Sequence, residues 1–196
     1  MKKLFMLASL MMLSIGVFAQ RTPGTITVQP KVGLNIANMT DSEGADPRLG
    51  LVAGAEFEYQ VTDLLSLSAG ALYSMQGSKA KQWGAEATAK LDYINIPVLA
   101  NVYVAKGLAV KIGLQPGFNV SSKVSAKESG VKVDIDLSDI GIDVKTFDLA
   151  VPIGLSYEFN DFVIDGRYNW GVTKMVEGDP SKHSVFQFTL GYKFAL

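Results

Sequence analysis

The chain has 196 residues, a formal net charge of −1 at pH 7 and no cysteine. A near-neutral chain offers no basic surface for nucleic acid, and the lack of thiols excludes disulfides, thiolate metal sites and cysteine catalysis. Hydrophobic residues make up 48% of the sequence, yet after the N-terminal segment no apolar run is long enough for a membrane helix. The length and even composition predict one domain without a linker.

The N-terminus has the three parts of a secretory signal peptide. Lys2 and Lys3 provide a basic start, an apolar run follows, and Val17-Phe18-Ala19 forms a small-residue cleavage site. The apolar run is shorter than the roughly 20 residues of a membrane helix. Because no cysteine follows the cleavage site, a lipid-anchored lipoprotein is excluded. We predict a cleaved signal peptide over residues 1–19 and an exported domain over residues 20–196.

Eight segments of the exported domain alternate apolar and polar side chains at the period of a two-faced β-strand. They cover residues 28–37, 49–59, 65–76, 91–104, 108–120, 147–159, 162–172 and 184–196. Each is long enough to cross a bilayer as a tilted strand, which needs roughly 9–11 residues. Pro97, Pro116 and Pro152 lie inside segments, where a proline removes a ladder hydrogen bond, so we expect bulges or local breaks there.

The last segment shows the strongest alternation. One face carries Phe186, Phe188, Leu190, Tyr192 and Phe194, and the other face is polar or small. A face of this kind requires either a second packed sheet or lipid, and in a membrane barrel it faces lipid while the polar face lines the interior.

Short and long connections alternate along the chain. The short ones lie at residues 62–63, 105–107 and 160–161, and the long polar ones cover 38–48, 77–90, 121–146 and 174–183. Barrels of the outer membrane have short periplasmic turns and long external loops.

Aromatic residues gather near both ends of the segments, as the two interfacial girdles of a membrane barrel do. Beside the short turns lie Phe57, Tyr59, Tyr157, Phe159, Phe162, Tyr192 and Phe194, and toward the long loops lie Tyr73, Phe118, Phe147, Tyr168, Trp170 and Phe186. We therefore predict an all-β fold, an eight-stranded antiparallel up-and-down transmembrane β-barrel. It would lie in the cell outer membrane with its outer face against lipid and both mature termini in the periplasm.

Three stretches carry a resemblance to a known family: Lys31-Val32-Gly33-Leu34-Asn35, Leu91-Asp92-Tyr93-Ile94-Asn95-Ile96-Pro97 and Leu190-Gly191-Tyr192-Lys193-Phe194. With them the chain resembles the PorT-type outer-membrane β-barrel family of Bacteroidetes over nearly all of the mature sequence. The resemblance implies an eight-stranded outer-membrane barrel.

The end of the chain also resembles the terminal signal that the barrel assembly machinery recognises during biogenesis. Gly191, Tyr192 and Phe194 would carry that signal, although Ala195 and Leu196 extend past the usual final aromatic residue.

The predicted interior face carries charges of both signs. They are Lys31, Glu56, Glu58, Lys111, Asp148, Glu158, Asp165, Arg167 and Lys193. An eight-stranded lumen has room for side chains but not for a channel, and buried charges are tolerated when they are paired. We interpret the nine as a structural network that fills the lumen. The alternative is a proton path or a catalytic carboxylate pair.

Two groups outside the lumen invite a chemical interpretation. His183, the only histidine, has Ser181 and Ser184 beside it, but a catalytic triad requires an orientation in space that adjacency does not provide. Calcium prefers oxygen ligands, yet the aspartates of the longest loop lack the glycine and terminal glutamate of a known calcium loop, and a solvated acidic face is favoured. These aspartates are Asp134, Asp136, Asp139 and Asp143. We expect no catalytic, cofactor-binding or metal-binding residues.

The sequence thus favours a small non-enzymatic barrel with a filled polar lumen and a structural or surface-interaction role. Two alternatives stay open. An outer-membrane lipid-modifying enzyme would need a cluster of histidine, serine and an acid, and a soluble periplasmic lipocalin-like carrier would need an apolar lumen.

The loop over residues 121–146 is the least loop-like of the long connections. Val131, Val133, Ile135 and Leu137 alternate with polar residues, and residues 121–126 form a plausible partner strand with a turn near Gly130. We predict that the fifth and sixth segments continue beyond the membrane as a projecting hairpin, which offers an edge to a protein partner. The alternative is a disordered acidic loop.

Overall fold

The computed structural model describes residues 22–40, 45–82, 85–128, 131–142, 144–175 and 181–196, so the predicted signal peptide lies outside the described residues. The elements are β1 (Ile26–Met39), β2 (Ala45–Gln60), β3 (Leu65–Gln82), β4 (Ala85–Asn95), β5 (Val98–Ala105), β6 (Leu108–Glu128), β7 (Val131–Asp136), a 3-10 helix (Leu137–Ile140), β8 (Phe147–Phe159), β9 (Phe162–Gly171), β10 (His183–Tyr192) and β11 (Phe194–Ala195).

The strands close into an antiparallel ring. β1 pairs with β2 on one edge and with β10 on the other, so that Lys31 lies opposite both Gly54 and Gly191. β4 and β5 together occupy one position between β3 and β6, and the ring continues through β8 and β9 to β10. The predicted eight-stranded antiparallel barrel is confirmed.

Tight turns join the strands at one end of this ring. Phe159 pairs with Phe162 across Asn160-Asp161, where Asn160 has a positive φ of 54°. Ala105 pairs with Leu108 across Lys106-Gly107, where Gly107 has a φ of 79°. Two-residue hairpins favour asparagine and glycine because they require this left-handed backbone. The three short turns predicted from the sequence are confirmed.

The prolines act at different places in the ladder. The segment predicted as one strand over residues 91–104 is two strands, because the chain breaks at Ile96-Pro97. Pro116 lies in β6 opposite this break, where its carbonyl accepts the N–H of Ile96 at 2.8 Å. On one side, Pro152 of β8 pairs with Asn169 of β9. On the other side, the pairing of β8 with β6 stops at Ile153–Ile112 and resumes at Ala150–Gln115, so Pro152 has no partner in this second ladder. A proline lacks the N–H that this second ladder would need.

The two faces of the wall differ as the alternation predicts. Aliphatic and aromatic side chains such as Leu51, Ile112, Leu155 and Phe188 are about half exposed on the outside, whereas polar side chains are buried inside. Aromatic rings meet at both ends of the apolar belt. Phe162 and Tyr192 lie 5.0 Å apart near the tight turns, and Phe118 and Phe147 lie 5.8 Å apart at the opposite, outer end. No helix among the described residues is long and apolar enough to cross a membrane.

Residues 77–90, predicted as a long loop, are mostly strand. β3 continues to Gln82 and β4 begins at Ala85, with Gly77 paired to Lys90 and Ala80 to Ala87. The prediction was wrong because this stretch alternates small and polar residues and carries no hydrophobic period. Backbone pairing, which does not depend on an apolar face, holds it in the sheet.

The predicted hairpin is confirmed by the pairing of β6 with β7. Only the fifth predicted segment continues into it, because the 3-10 helix separates β7 from β8. Lys123 lies opposite Asp136, Ser125 opposite Asp134 and Glu128 opposite Val131, while turn residues 129 and 130 lie outside the described residues. β6 continues ten residues past Phe118, about 33 Å of strand at roughly 3.3 Å per residue. We call the extension formed by residues 45–47, 77–82, 85–92, 121–128 and β7 the projecting sheet.

Candidate functional site

Five charged side chains form one cluster at mid-height in the lumen. Asp165 accepts from Arg167 at 2.7 Å and lies 3.0 Å from the Lys111 ammonium and 3.8 Å from that of Lys31. Glu56 binds Lys31 at 2.8 Å and Arg167 at 3.1 Å. All five side chains are almost completely buried. Asp165 is the centre of this cluster because it contacts all three cations.

A second cluster lies nearer the tight turns. The Lys193 ammonium binds Glu158 at 2.7 Å and Glu58 at 3.1 Å, and donates to the Tyr103 hydroxyl at 3.1 Å. Glu58 also accepts from Ser66 at 2.7 Å and from the Tyr103 hydroxyl. Tyr103 and Ser66 were not predicted as members, although their positions on the inner face of their strands place them there.

Charge is balanced over the two clusters. The upper one has three cations and two acids, the lower one has one cation and two acids, and the sum of four positive and four negative charges is zero. The ninth predicted residue, Asp148, lies apart, where it accepts from Thr173 at 2.6 Å. The structure therefore brings eight of the nine predicted residues together and leaves Asp148 near the outer end.

Glycines make the space for these side chains. Gly154 lies between Lys111 and Arg167 in register, and a Cβ added to it would come within 2.6 Å of the Arg167 Cβ. Gly70 lies opposite Glu56, and a Cβ there would approach the Glu56 Cγ to 2.7 Å. The wall thus has glycines where the large charged side chains of Arg167 and Glu56 need space. The match between each glycine and its charged neighbour can be recognised only when the register is known.

An apolar cluster closes the outer mouth of the lumen. Leu91 and Tyr93 of β4 pack with Leu137 of the 3-10 helix and with Met175. Met39, Val124 and Val144 pack around them. We call this cluster the outer plug. Alternation along single strands does not predict this cluster, because its members come from three strands, the 3-10 helix and two loops that meet only in the folded chain.

His183 lies beside the outer plug. Its ring meets that of Tyr93 edge-on at 4.9 Å, and neither of its nitrogens has a hydrogen-bond partner among the described residues. The Ser184 hydroxyl pairs instead with that of Tyr168 at 2.9 Å. The described residues thus contain no Ser–His pair of the kind that a hydrolase triad requires.

The three loop aspartates that the structure describes do not converge on a metal site. Asp134 binds Lys90 at 3.0 Å, Asp136 lies 3.9 Å from Lys123, and Asp139 is exposed in the 3-10 helix. Asp143 lies outside the described residues. Within the described part of the chain, no group of three or more histidine, aspartate or glutamate side chains could hold a metal ion.

The residues of the predicted assembly signal lie at the seam where the ring closes. Gly191 pairs with Lys31, and a Cβ on it would meet the Gln29 side chain at 2.5 Å. The Tyr192 ring contacts those of Phe162 and Phe194, and Phe194 pairs with Val28. These rings belong to the girdle at the end with the tight turns.

The filled lumen leads to a conductance prediction. Because two charge clusters and the outer plug occupy it in succession, we expect the pure protein to give no steady porin-like current in planar bilayers. Brief, irregular fluctuations would be compatible with this result. Large, stable single-channel steps would contradict it.

An apolar belt, two girdles and a packed polar lumen define a small β-barrel built for a membrane. The sequence matches the family described as "Outer membrane protein beta-barrel domain" over residues 18–177, and the protein belongs to this family. Its location is the outer membrane. No curated protein matches the sequence significantly.

Solved structures share the fold at low sequence identity. Neisserial surface protein A (NspA) has a TM-score of 0.53 and 15% identity, covering 86% of this chain and 97% of the other. Ail, the attachment invasion locus protein of Yersinia pestis, solved with the heparin analogue sucrose octasulfate, has a TM-score of 0.53 and 13% identity, covering 88% and 100%. OprG from Pseudomonas aeruginosa has a TM-score of 0.51 and 12% identity, covering 90% and 99%.

Proposed function

We propose that this protein is a non-enzymatic surface-interaction barrel of the outer membrane, in which the lumen is structural and the projecting sheet binds a protein partner. Both termini lie in the periplasm, at the end with the tight turns, and the barrel assembly machinery reads the terminal signal during biogenesis. Within the family, we place the chain with the PorT-type barrels of Bacteroidetes on the strength of the motifs beginning at Lys31, Leu91 and Leu190.

The observation that carries this proposal is the free edge of β7. Among the described residues β7 pairs only with β6, so the backbone groups on its other edge have no strand partner. Such an edge is a template for an added strand. Since the edge lies beyond the outer girdle, a partner would reach it from outside the cell.

The two faces of β7 specify the chemistry of the partner. Val133 and Ile135 are 50% and 38% exposed and lie on the same face of β7, where they form a small apolar surface. Asp134 and Asp136 lie on the other face, beside Lys90 and Lys123. The occupant that fits is an extended segment of another protein, with apolar side chains on one face and basic or hydroxyl side chains on the other.

Hydrogen exchange on the protein in lipid tests the free edge. In an antiparallel strand alternate amides point to opposite edges. We expect alternate amides of Val131–Asp136 to be protected by β6, and the others to exchange quickly. A synthetic peptide with the sequence of residues 121–128, the strand that β7 already accepts, is expected to slow the second set.

Three controls make this experiment decisive. A peptide with proline in place of Val124 and Ala126 should have no effect, because proline cannot donate to a ladder. Val133→Thr with Ile135→Thr should weaken the peptide effect, whereas Ile140→Thr, an exposed change off the strand, should not. If all β7 amides exchange at random-coil rates, or if the peptide leaves the fast set unchanged, the proposal is wrong.

The two alternative functions receive no support from the geometry. A lipid-modifying enzyme would need a serine, a histidine and an acid in contact, and His183 has no hydrogen-bond partner among the described residues. A lipocalin-like carrier would need an apolar lumen, and the lumen contains eight paired charges.

A further inference from the structure

A cleft lies where the strand paired with one edge of β6 changes from β8 to β7. β6 pairs with β8 up to Phe118 and with β7 from Lys123 onward, so residues 119–122 lie between two successive partners. The 3-10 helix and the chain that follows it fold across this gap. They leave a cleft of about 490 Å³ whose polar lining comes from Asn119, Ser121, Ser122, Lys123, Asp136 and Ser138.

The polar lining offers donors and acceptors without a dominant charge. Asn119 is held in place because its amide oxygen accepts from the Ser122 hydroxyl at 2.7 Å and its nitrogen donates to the Ser121 carbonyl at 3.3 Å. The Lys123 ammonium and the Asp136 carboxylate are 3.9 Å apart, beyond hydrogen-bond distance, and both are about half exposed. Each can therefore bind a ligand group without first breaking a hydrogen bond between them.

This lining favours a polyhydroxylated ligand over a simple ion. A bare anion would meet Asp136, and a bare cation would meet Lys123. Hydroxyl groups both donate and accept, so they can satisfy the ammonium, the carboxylate and the serines together. Val120, Ile142 and Val144 complete the cleft with an apolar wall that suits the C–H face of a sugar ring.

The position of the cleft favours a lipid as the source of the sugar. Val120 lines the cleft and is also 49% exposed on the outer face, two residues beyond Phe118 of the outer aromatic girdle. Aromatic girdles mark the level at which lipid headgroups begin. We propose that this cleft binds the saccharide headgroup of a glycolipid in the outer leaflet. The proposal requires the outer-membrane location but not strand addition at β7.

The test compares lipids and variants in nanodiscs. The protein is reconstituted with phosphatidylglycerol alone or with added rough lipopolysaccharide, and the bound glycolipid is measured after washing. Lys123→Met combined with Ser138→Leu is expected to lower retention at least roughly tenfold, which corresponds to about 1.4 kcal/mol, because the ligand loses its hydrogen bond to a charged group. Lys145→Met, an exposed lysine outside the cleft lining, should behave as the unchanged protein.

Two further arms keep the outcomes separate. In the unchanged protein, hydrogen exchange at residues 119–123 should slow with the glycolipid and not with phosphatidylglycerol. Unchanged protection of β1 and β10, away from the cleft, shows that the variants are folded. Equal retention by all variants, or equal slowing by both lipids, would overturn the proposal. If the oligosaccharide without its lipid bound as tightly as the glycolipid, the conclusion that the ligand is a lipid headgroup would be wrong. The peptide experiment tests only strand addition at β7, and the glycolipid experiment tests only the cleft. Either proposal can therefore be wrong while the other stands.

Discussion

Replacing Asp165 by leucine is expected to lower the free energy of unfolding by about 3–5 kcal/mol, the usual cost of breaking a buried ion pair by removing one partner. Asp165 contacts Arg167, Lys111 and Lys31, and it is the only carboxylate within 4 Å of the Lys111 ammonium among the described residues. Its removal leaves the upper cluster with three cations and one acid. Urea unfolding in lipid vesicles measures the change.

Arg167→Leu provides the comparison within the same cluster. Arg167 donates to Asp165 from Nε at 2.9 Å and from one terminal nitrogen at 2.7 Å, and to Glu56 from the other at 3.1 Å. When it is removed, both acids keep a lysine, so we expect a smaller loss of about 1.5–3 kcal/mol, the range for hydrogen bonds to charged groups. A larger loss for Arg167→Leu than for Asp165→Leu would contradict the role of Asp165 as the centre of the cluster.

Phe188→Arg tests the outer face. Phe188 pairs with Leu34 and Gly166 in the middle of the apolar belt, and its side chain is 53% exposed on the outside of the wall. An arginine facing lipid at the bilayer midplane costs about 2–4 kcal/mol. We expect this loss in urea unfolding in vesicles.

Ile140→Arg is the matched control for that change. Ile140 has nearly the same exposed fraction, 52%, but lies in the 3-10 helix outside the membrane. An exposed substitution in water typically changes stability by less than about 0.5 kcal/mol. Equal effects of the two arginines would mean that the belt around Phe188 does not face lipid.

The charged residues show how far a strand pattern can predict a site. Period-two alternation places Lys31, Glu56 and Asp165 on the inner face, because neighbouring side chains in a strand point to opposite sides. It cannot say that Asp165 contacts Arg167 of its own strand and Lys111 and Lys31 of other strands, because those contacts depend on register and ring closure. For the same reason the role of Gly154 could not be predicted: its missing side chain leaves room between Lys111 and Arg167.

The sequence by itself determined the side-chain faces of the strands, the positions of the tight turns and the hairpin of β6 and β7. These are local properties, since they follow from alternation and from residues such as Asn160 and Gly107 that accept a left-handed backbone. Only the tertiary structure decided the pairing of residues 77–82 with residues 85–90, the outer plug and the cleft beside β6. Each of these depends on non-local contacts. The pairing rests on backbone hydrogen bonds, which leave no hydrophobic period in the sequence. The outer plug rests on side chains such as Leu91 and Met175, which meet only when the ring has closed.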